Sequence, residues 1–319
     1  MALSKKINNR AITDRNTGFG DNPSSYGGRF INKNGNSNIE KSGINFLDKL
    51  SWFHTMLSLS RSKFLAVIFA FYFLVNLIFA VIYYVLGAEN LNGISGVSET
   101  DKFAQIYFFS AQTFTTVGYG HVNPVGFMTS LVAAIEALVG LLAFAIATGL
   151  LYGRFSKPKA HIKFSENALI SPYKDGKALM IRLTTHKNTS IIDAEVKMTL
   201  AMSVEENGKR TNKFFPLELE MQKIASLTLS WTLVHYITEE SPLYNYKNID
   251  FENEIGEVIV YFKAFDEMFS NTVSTKTSFT FEEIVYGAKF VMMYHQNEDS
   301  SKTILELDKL NSFERLNIS

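Results

Sequence analysis

Residues 116–120 read Thr-Val-Gly-Tyr-Gly and lie between two long apolar runs, at 64–86 and 127–152. Glycine lacks a Cβ, so Gly118 and Gly120 can adopt backbone angles that most other residues avoid. Those angles let successive carbonyl groups point to the same side of the chain. The pentapeptide therefore predicts a row of backbone oxygens facing one axis.

The two apolar runs predict membrane-spanning helices. The run at 64–86 has no charged residue, and Asn76 is its main polar interruption. A helix of that length crosses a hydrocarbon core about 30 Å thick. The run at 127–153 contains one ionisable residue, Glu136. A cleaved signal peptide is not expected, because the first apolar run begins far from the N-terminus and is too long for a signal sequence.

The basic residues predict the orientation in the membrane. Lysine and arginine residues precede the first run and follow the second, whereas the loop between the runs contains only Lys102. Both termini are therefore expected in the cytoplasm of a multi-pass inner-membrane protein. The loop also carries Glu89, Glu99 and Asp101, so its outer side should attract cations.

The segment at 101–113, DKFAQIYFFSAQT, is apolar enough to enter the bilayer as a short pore helix and too short to cross it. Non-helical backbone at membrane depth persists only where protein buries it or water reaches it. The sequence at 116–120 is that of a potassium selectivity filter, in which carbonyl oxygens replace the hydration shell of K+. We predict K+ binding at Thr116, Val117, Gly118 and Tyr119, with Gly120 completing the loop. The alternative is a glycine-rich turn on a surface loop.

One such loop cannot enclose an ion, so the functional unit is predicted to be a homotetramer. In the second span, Phe144, Thr148 and Tyr152 share a helix face. Phe144 and Tyr152 are candidate gate residues, unless they pack against other helices or lipid. Gly140 and Gly149 are either hinges or points of close helix approach.

Glu136 is a candidate functional residue because a carboxylate at membrane depth is costly to bury. It either braces the filter or faces the cavity. Residues 44–60 form an amphipathic pattern typical of an interfacial helix, with Phe46, Leu50, Phe53 and Leu57 on one stripe. A packed helix of a cytoplasmic domain is the alternative.

Basic residues cluster at the predicted cytoplasmic ends of the spans. They are predicted to contact anionic phospholipids: Arg61, Lys63, Arg154, Lys157 and Lys159. The alternative is that they serve only as topology determinants.

The remaining sequence excludes several classes of protein. The 319 residues carry zero formal net charge and no cysteine, which excludes disulfides and thiol catalysis and argues against nucleic-acid binding. Residues 1–43 are predicted to be flexible. Short β-type runs with turn signals predict a β-sandwich over 157–319; they lie at 177–185, 194–203, 225–236, 258–266 and 277–281.

No phosphate-binding loop, metal-ligand spacing or nucleophile motif is found in the sequence. We therefore expect no enzyme activity, no cofactor and no small-molecule substrate.

Several segments together resemble prokaryotic inward-rectifier potassium channels. Beyond the filter with its following His121, they are Arg29 to Gly35 with Asn38, Lys157-Pro158-Lys159, Trp231 to His235, Ser241 to Tyr244, and Glu283 to Phe290. The resemblance covers most of the chain. It implies a two-helix pore-loop channel over 61–156 and an immunoglobulin-like cytoplasmic sandwich that extends the pore.

The resemblance also implies regulation by anionic lipids and a gate where the second helices cross. The gate position of the family falls on Tyr152, and its hinge position falls on Gly149. Permeant K+ and blocking Ba2+ are the expected ions. The loop at 268–272 would form a cytoplasmic constriction, without the glycines of animal relatives.

The chain departs from animal relatives at two positions. Phe144 stands where strong rectifiers carry an acidic residue, which argues against strong rectification. Gln112 stands where many animal members have a filter-bracing glutamate, and Glu136 is predicted to supply that carboxylate. Two other functions compete with a lipid-regulated channel: a membrane-anchored β-sandwich that binds a ligand, and a channel gated by a soluble ligand.

Overall fold

The computed structural model describes residues 8, 10–13, 29–43, 51–156, 158–206 and 209–316. The chain forms two compact units, Ser42–Lys157 and the combination of Met1–Lys41 with Pro158–Ser319. Several predictions fall outside the described residues: Phe46 and Leu50 of the amphipathic stripe, Lys157 of the basic cluster, and Asn207-Gly208, one of the turn signals between the β-type runs.

The first unit contains four described helices. They are α1 (Trp52–Ser58), α2 (Arg61–Leu86), α3 (Glu99–Phe114) and α4 (Phe127–Phe155). Strands β1 (Leu91–Asn92) and β2 (Asn123–Pro124) pair antiparallel in the loop between α2 and α4. By length and composition, α2 and α4 can each cross a membrane.

The observed helices extend slightly beyond the apolar runs. Helix α3 begins at Glu99, two residues before the predicted start, because the Ser98 hydroxyl accepts a hydrogen bond from the Asp101 amide at 3.2 Å. Helix α2 begins at Arg61 and α4 continues to Phe155. Both membrane helices therefore include residues that lie beyond the ends of the apolar runs.

The second unit is a β-sandwich. Its two sheets comprise β3 (Ile162–Phe164), β4 (Ala168–Tyr173), β5 (Gly176–Thr185), β6 (Ile191–Glu206), β7 (Lys209–Leu217), β8 (Lys223–Ser226), β9 (Ser230–Tyr236), β10 (Gly256–Asp266), β11 (Asn271–Thr280) and β12 (Ile284–Tyr286). One sheet has the order β11-β10-β6-β7, with β8 also paired to β6, and the other has the order β12-β4-β5-β3, with β9 also paired to β5. All these pairs are antiparallel except β12 with β4.

Short elements complete this unit. Helix α5 (Asn248–Asn253) precedes β10, and two small antiparallel pairs follow β12. They are β13 (Ala288–Phe290) with β16 (Phe313–Arg315), and β14 (Tyr294–Gln296) with β15 (Thr303–Leu305).

The main core lies between the two sheets. Alternate side chains of β5 and β10 point inward, because successive residues of a strand face opposite sides. Leu179, Ile181, Val258 and Val260 are fully buried there. The intervening residues of β5 are covered by β13, through Ala288 and Phe290. The predicted β-sandwich is therefore confirmed, with β5 buried on both faces.

Residues 29–38, in the N-terminal part of the chain, cover the outer face of β10. The buried Glu257 carboxylate accepts hydrogen bonds from the amides of Phe30, at 2.5 Å, and Ile31, at 3.0 Å. Arg29 donates two hydrogen bonds to Glu283, at 3.1 and 3.0 Å. Gly35 has a φ of 83°, and a Cβ there would lie 2.5 Å from the Lys276 carbonyl oxygen. The glycine in this segment is therefore required by a close backbone approach.

His235 holds two turns of the sandwich together. Its Nδ1 lies 2.7 Å from the Glu218 carbonyl oxygen and its Nε2 lies 2.8 Å from the Ser241 hydroxyl. Burial lowers the pKa of His235, which favours the neutral ring. The Trp231 to His235 and Ser241 to Tyr244 motifs thus meet in a structural contact.

Candidate functional site

The loop at 116–120 has an alternating backbone. Thr116, Gly118 and Gly120 have φ values of 58°, 51° and 80°, whereas Val117 and Tyr119 have ordinary negative φ. This alternation is the backbone pattern that the prediction of carbonyls on one side requires. Positive φ at Thr116 was not expected from the sequence, because a β-branched residue rarely adopts it.

The amides of this loop bind back to the end of α3. The Thr116 amide donates to the Thr113 carbonyl at 3.0 Å, and the Gln112 carbonyl accepts from Val117 at 3.0 Å and Gly118 at 3.3 Å. Within residues 51–156, no hydrogen-bond donor reaches the carbonyl oxygens of residues 116–119. A row of uncompensated acceptors needs water or a cation.

The loop is open on its far side. Val117 is 53% exposed and Tyr119 is 78% exposed, and an ideal Cβ on Gly118 or Gly120 would meet no atom within 4 Å. Among the described residues, nothing packs over this side of the loop.

A buried polar cluster joins three helices beside the loop. Glu136 of α4 is fully buried. Its carboxylate accepts hydrogen bonds from the Ser110 hydroxyl of α3 and, at 2.7 Å, from the Tyr83 hydroxyl of α2. The Ser110 hydroxyl also lies 3.1 Å from the Asn76 carbonyl oxygen. Three helices therefore meet at one carboxylate. Ser110, which donates to it, lies two positions before Gln112.

The sequence analysis named Asn76 as a polar interruption and Glu136 as a candidate functional residue. It did not identify Ser110 or Tyr83. Serine and tyrosine are common at helix positions, and nothing local marks them as partners of a carboxylate. Their signal is the burial cost of Glu136, which requires donors from other helices.

The two glycines of α4 differ in their surroundings. A Cβ on Gly140 would lie 1.9 Å from the Phe114 carbonyl oxygen, whereas a Cβ on Gly149 would meet nothing within 4 Å. Gly140 thus allows α4 to approach the end of α3 closely. Gly149 has no such contact within its own chain.

We predict that Gly140→Ala destabilises the folded protein by about 1–3 kcal/mol, because the added methyl overpacks the α3–α4 contact. Gly149→Ala is the matched control on the same helix and should stabilise it by about 1 kcal/mol. Thermal unfolding of the purified variants in one detergent checks both. Equal unfolding temperatures for the two variants would contradict the close-approach role of Gly140.

The face of α4 that carries Phe144, Thr148 and Tyr152 is uncovered by its own chain. Phe144 is 73% exposed and Tyr152 is 74% exposed. The Thr148 hydroxyl donates to the Phe144 carbonyl at 2.9 Å.

The basic residues near the ends of the spans fall into two kinds. The side chains of Arg61, Lys63 and Lys159 are exposed. Arg154 instead donates hydrogen bonds to the carbonyls of Met56 and Leu59.

The segment predicted as a loop at 268–272 lies at the tight hairpin turn between β10 and β11. The turn itself spans residues 267–270, and residues 271–272 belong to β11. Asp266 accepts a hydrogen bond from the Met268 amide at 2.9 Å, and Ser270 has a φ of 47°. Met268 is 67% exposed. Among the described residues, no group of three or more histidine, aspartate or glutamate side chains can hold a metal ion.

Comparisons with known proteins match both units. A family model described as the inward rectifier potassium channel C-terminal domain matches residues 162–318, and an ion channel model matches residues 65–157. The chain is 31% identical over 281 residues to inward rectifier potassium channel Kirbac3.1 of Paramagnetospirillum magnetotacticum, covering 86% of this chain and 92% of that protein.

Two animal proteins are more distant. Inward rectifier potassium channel irk-1 of Caenorhabditis elegans is 25% identical over 310 residues, covering 89% of this chain and 56% of that protein. The ATP-sensitive inward rectifier potassium channel 12 of Gallus gallus is 25% identical over 305 residues, covering 86% of this chain and 69% of that protein. The solved structure of Bacillus subtilis Spo0M, at 9% identity over 40% of this chain and 50% of that chain, has a TM-score of 0.21 and supports no inference.

Proposed function

This chain belongs to the inward rectifier potassium channel family, and from that membership we propose that four copies surround a common axis and conduct K+ through the loop at 116–120. The alternating backbone of this loop is the observation that carries the proposal. Four loops would surround the ion with the carbonyl oxygens of Thr116, Val117, Gly118 and Tyr119. The assembly is an ion channel of the membrane, a class distinct from enzymes.

Selectivity follows from exchanging water for carbonyl oxygens. An ion enters the filter only if those oxygens compensate for the hydration that it loses. The amides of Thr116, Val117 and Gly118 are held by the end of α3, so their carbonyls are oriented before an ion arrives. Ba2+ should block, because a divalent ion interacts more strongly with the same oxygens and leaves more slowly.

Glu136 is proposed to brace the filter rather than face the cavity. Its burial and its hydrogen bonds from Ser110 and Tyr83 support this choice. Ser110 lies on the pore helix that ends at the filter, so the carboxylate connects that helix to both spans. Without this carboxylate, α3 should be held less firmly against α2 and α4.

The gate is proposed to lie at Tyr152, with Phe144 two turns above it and Gly149 as the hinge. Four exposed aromatic side chains near the cytoplasmic end can form an apolar ring that closes the aqueous path by dewetting. The open space around Gly149 supports a hinge, because no packed contact would be broken there.

We predict that Tyr152→Ala raises the open probability of the channel, because the smaller side chain widens the proposed ring. Single-channel recording in a planar bilayer checks this. Leu151→Ala is the matched control on the neighbouring position, since Leu151 is only 36% exposed. A Tyr152→Ala channel with the open probability of the wild type would contradict a gate at this residue.

Anionic phospholipids are proposed as regulators at the cytoplasmic interface, with both termini in the cytoplasm and the inner membrane as the location. The exposed side chains of Arg61, Lys63 and Lys159 support the lipid contact, and Lys157 is proposed with them. A juxtamembrane basic cluster gains about 1 kcal/mol per charge near an anionic surface.

The test is ion flux through the purified full chain in liposomes of phosphatidylethanolamine with increasing phosphatidylglycerol. We expect flux that selects K+ over Na+, stops with Ba2+ and responds to the phosphatidylglycerol fraction. Absence of flux from a folded tetramer at every lipid composition, with Tyr152→Ala equally silent, would favour a membrane-anchored ligand-binding sandwich instead. Flux that does not change with the phosphatidylglycerol fraction would favour a channel controlled by a soluble ligand.

A further inference from the structure

A groove lies between edge strands of the two sheets of the sandwich. Residues 216–220, at the end of β7, form one side, and residues 235–242, at the end of β9, form the other. Strand β7 belongs to one sheet and β9 to the other. The His235 ring joins the two sides through the Glu218 carbonyl and the Ser241 hydroxyl. The groove therefore lies where the two sheets leave one edge of the main core open.

The floor of this groove is apolar and its sides are acidic. Leu219 and Pro242 line the groove and are buried. Four exposed glutamates lie on the two sides: Glu218, Glu220, Glu239 and Glu240. A surface of this kind suits a segment that presents a small apolar side chain next to a positive charge, because its charge is then complementary to the sides of the groove.

Residues 8–12 of the same chain lie in the groove and have this chemistry. The Ala11 side chain packs against the main core. The Arg10 Nη1 atom donates a hydrogen bond to the Glu239 carboxylate at 2.9 Å. The side-chain amide of Asn8 donates to the carbonyl of Glu239 and lies 3.4 Å from the carbonyl oxygen of Ser241. The segment is thus held by an apolar contact, an ion pair and hydrogen bonds to backbone carbonyls.

Asn8 also shapes the segment that it anchors. Its side-chain oxygen accepts a hydrogen bond from the Arg10 amide at 3.1 Å, and its carbonyl accepts one from the Ala11 amide at 3.0 Å. The resulting turn directs Arg10 and Ala11 to the groove together. Ile12 is 80% exposed, so the larger apolar side chain beside Ala11 is not the one that the groove takes.

The charge of the N-terminal sequence matches the acidic sides. The first fifteen residues contain four basic side chains and one acidic side chain: Lys5, Lys6, Arg10, Arg15 and Asp14. Opposite charges attract such a segment to the groove over several ångströms, and salt weakens this attraction. Residues 29–38 are bound to β10 of the same sandwich, so the segment stays near the groove at a high effective concentration.

We propose that this groove is a binding site for a basic peptide, and that residues 8–12 of the same chain occupy it through Arg10 and Ala11. The sandwich then holds the N-terminal part of the chain at two places, the groove and the outer face of β10. Another basic peptide can bind the groove only by displacing this segment. The contact involves neither the pore loop nor the proposed gate.

The first test uses the absence of native cysteine from the full-length chain. Ala11→Cys places a thiol in the groove, and Ile12→Cys is the matched control on the exposed neighbouring position. The readout is the rate at which a maleimide dye labels each purified protein. We expect Ala11→Cys to react roughly tenfold more slowly, because its labelling requires the segment to leave the groove. High salt should speed the labelling of Ala11→Cys alone, since it screens an exposed ion pair.

Charge reversal tests the recognition itself. Arg10→Glu or Glu239→Arg, each in the Ala11→Cys protein, should raise the labelling rate towards that of Ile12→Cys. The two reversals together should slow it again, because the ion pair is restored with opposite polarity. The side chains of Arg10 and Glu239 are 70% and 69% exposed, so these variants should fold.

A free peptide tests whether the groove accepts a ligand. A fluorescent peptide with the sequence of residues 1–16 should bind the full-length Arg10→Glu protein about tenfold more tightly than wild type, since the wild-type groove is already occupied. Fluorescence anisotropy measures both affinities. Equal binding to the two proteins, or binding to neither, would overturn the assignment of the groove as a peptide site.

The remaining outcomes decide whether the segment docks and which chain supplies it. Equal labelling rates for Ala11→Cys and Ile12→Cys would overturn docking, and a double reversal that labels as fast as the single ones would overturn recognition through Arg10 and Glu239. A bifunctional maleimide on the Ile12→Cys/Thr238→Cys protein should give a product with the mass of one chain. A product with the mass of two chains would overturn the assignment to the same chain. No readout requires ion flux, so failure of the proposed channel function would leave these results unchanged.

Discussion

Replacing Gly118 by aspartate is expected to abolish potassium flux while leaving a folded tetramer. Gly118 has a φ of 51°, a conformation that residues with a Cβ adopt only at a cost of about 1–3 kcal/mol. The aspartate would also place a charge beside the carbonyls that are proposed to bind K+. In the proposed tetramer four copies meet at the axis, so the defect would be repeated around every ion site.

Flux of K+ from liposomes measures the effect, with a detergent-stable tetramer on a sizing column as the folding control. Gly118→Ala separates the backbone requirement from the charge and should also lose most of the flux. Val117→Ile is the matched control, because Val117 has an ordinary φ and the replacement keeps a β-branched side chain. Potassium-selective flux through Gly118→Asp would mean that residues 116–120 are not the filter.

Removing the carboxylate of Glu136 is expected to have the second largest effect. Glu136→Ala leaves the hydroxyls of Ser110 and Tyr83 buried without their acceptor, at a cost of about 1–3 kcal/mol for each unsatisfied group. Glu136→Gln keeps the shape of the side chain and one acceptor oxygen, so this variant should lose less stability than Glu136→Ala. We expect reduced K+ conduction, weaker discrimination against Na+ and a less heat-stable tetramer.

Graded variants test whether the cluster acts through the filter. Tyr83→Phe removes a single hydrogen bond. Its selectivity and thermal stability should therefore lie between those of wild type and Glu136→Gln. Reversal potentials in mixed K+ and Na+ give the selectivity, and thermal unfolding gives the stability. Unchanged selectivity and open probability in both Glu136 variants would remove Glu136 from the conduction mechanism.

The strands of the sandwich show how far local pattern reaches. The predictions at 177–185 and 258–266 match β5 and β10 closely, because both strands are apolar and buried. The prediction of one run at 225–236 was wrong, since β8 pairs with β6 and β9 pairs with β5. Strands β4 and β7 were missed, because each contains a proline, Pro172 and Pro216, that weakens the β pattern.

The sequence alone determined the spans, the pore loop and the family, because these depend on features that are local in the chain. A long apolar run predicts a membrane helix, and the glycines at 118 and 120 predict backbone angles that other residues avoid, which both glycines adopt. The strained Thr116 is the exception within the loop, since its positive φ comes from hydrogen bonds to α3.

Only the tertiary structure decided which side chains meet. Tyr83 and Glu136 are 53 positions apart, and Arg154 and Met56 are 98 positions apart. It also separated Gly140, where an added Cβ would collide with the Phe114 carbonyl, from Gly149, where an added Cβ would meet no described atom within 4 Å. Burial cost predicts that Glu136 needs partners, but their identity depends on how the helices pack, and helix packing is decided by surfaces that no single stretch of sequence contains.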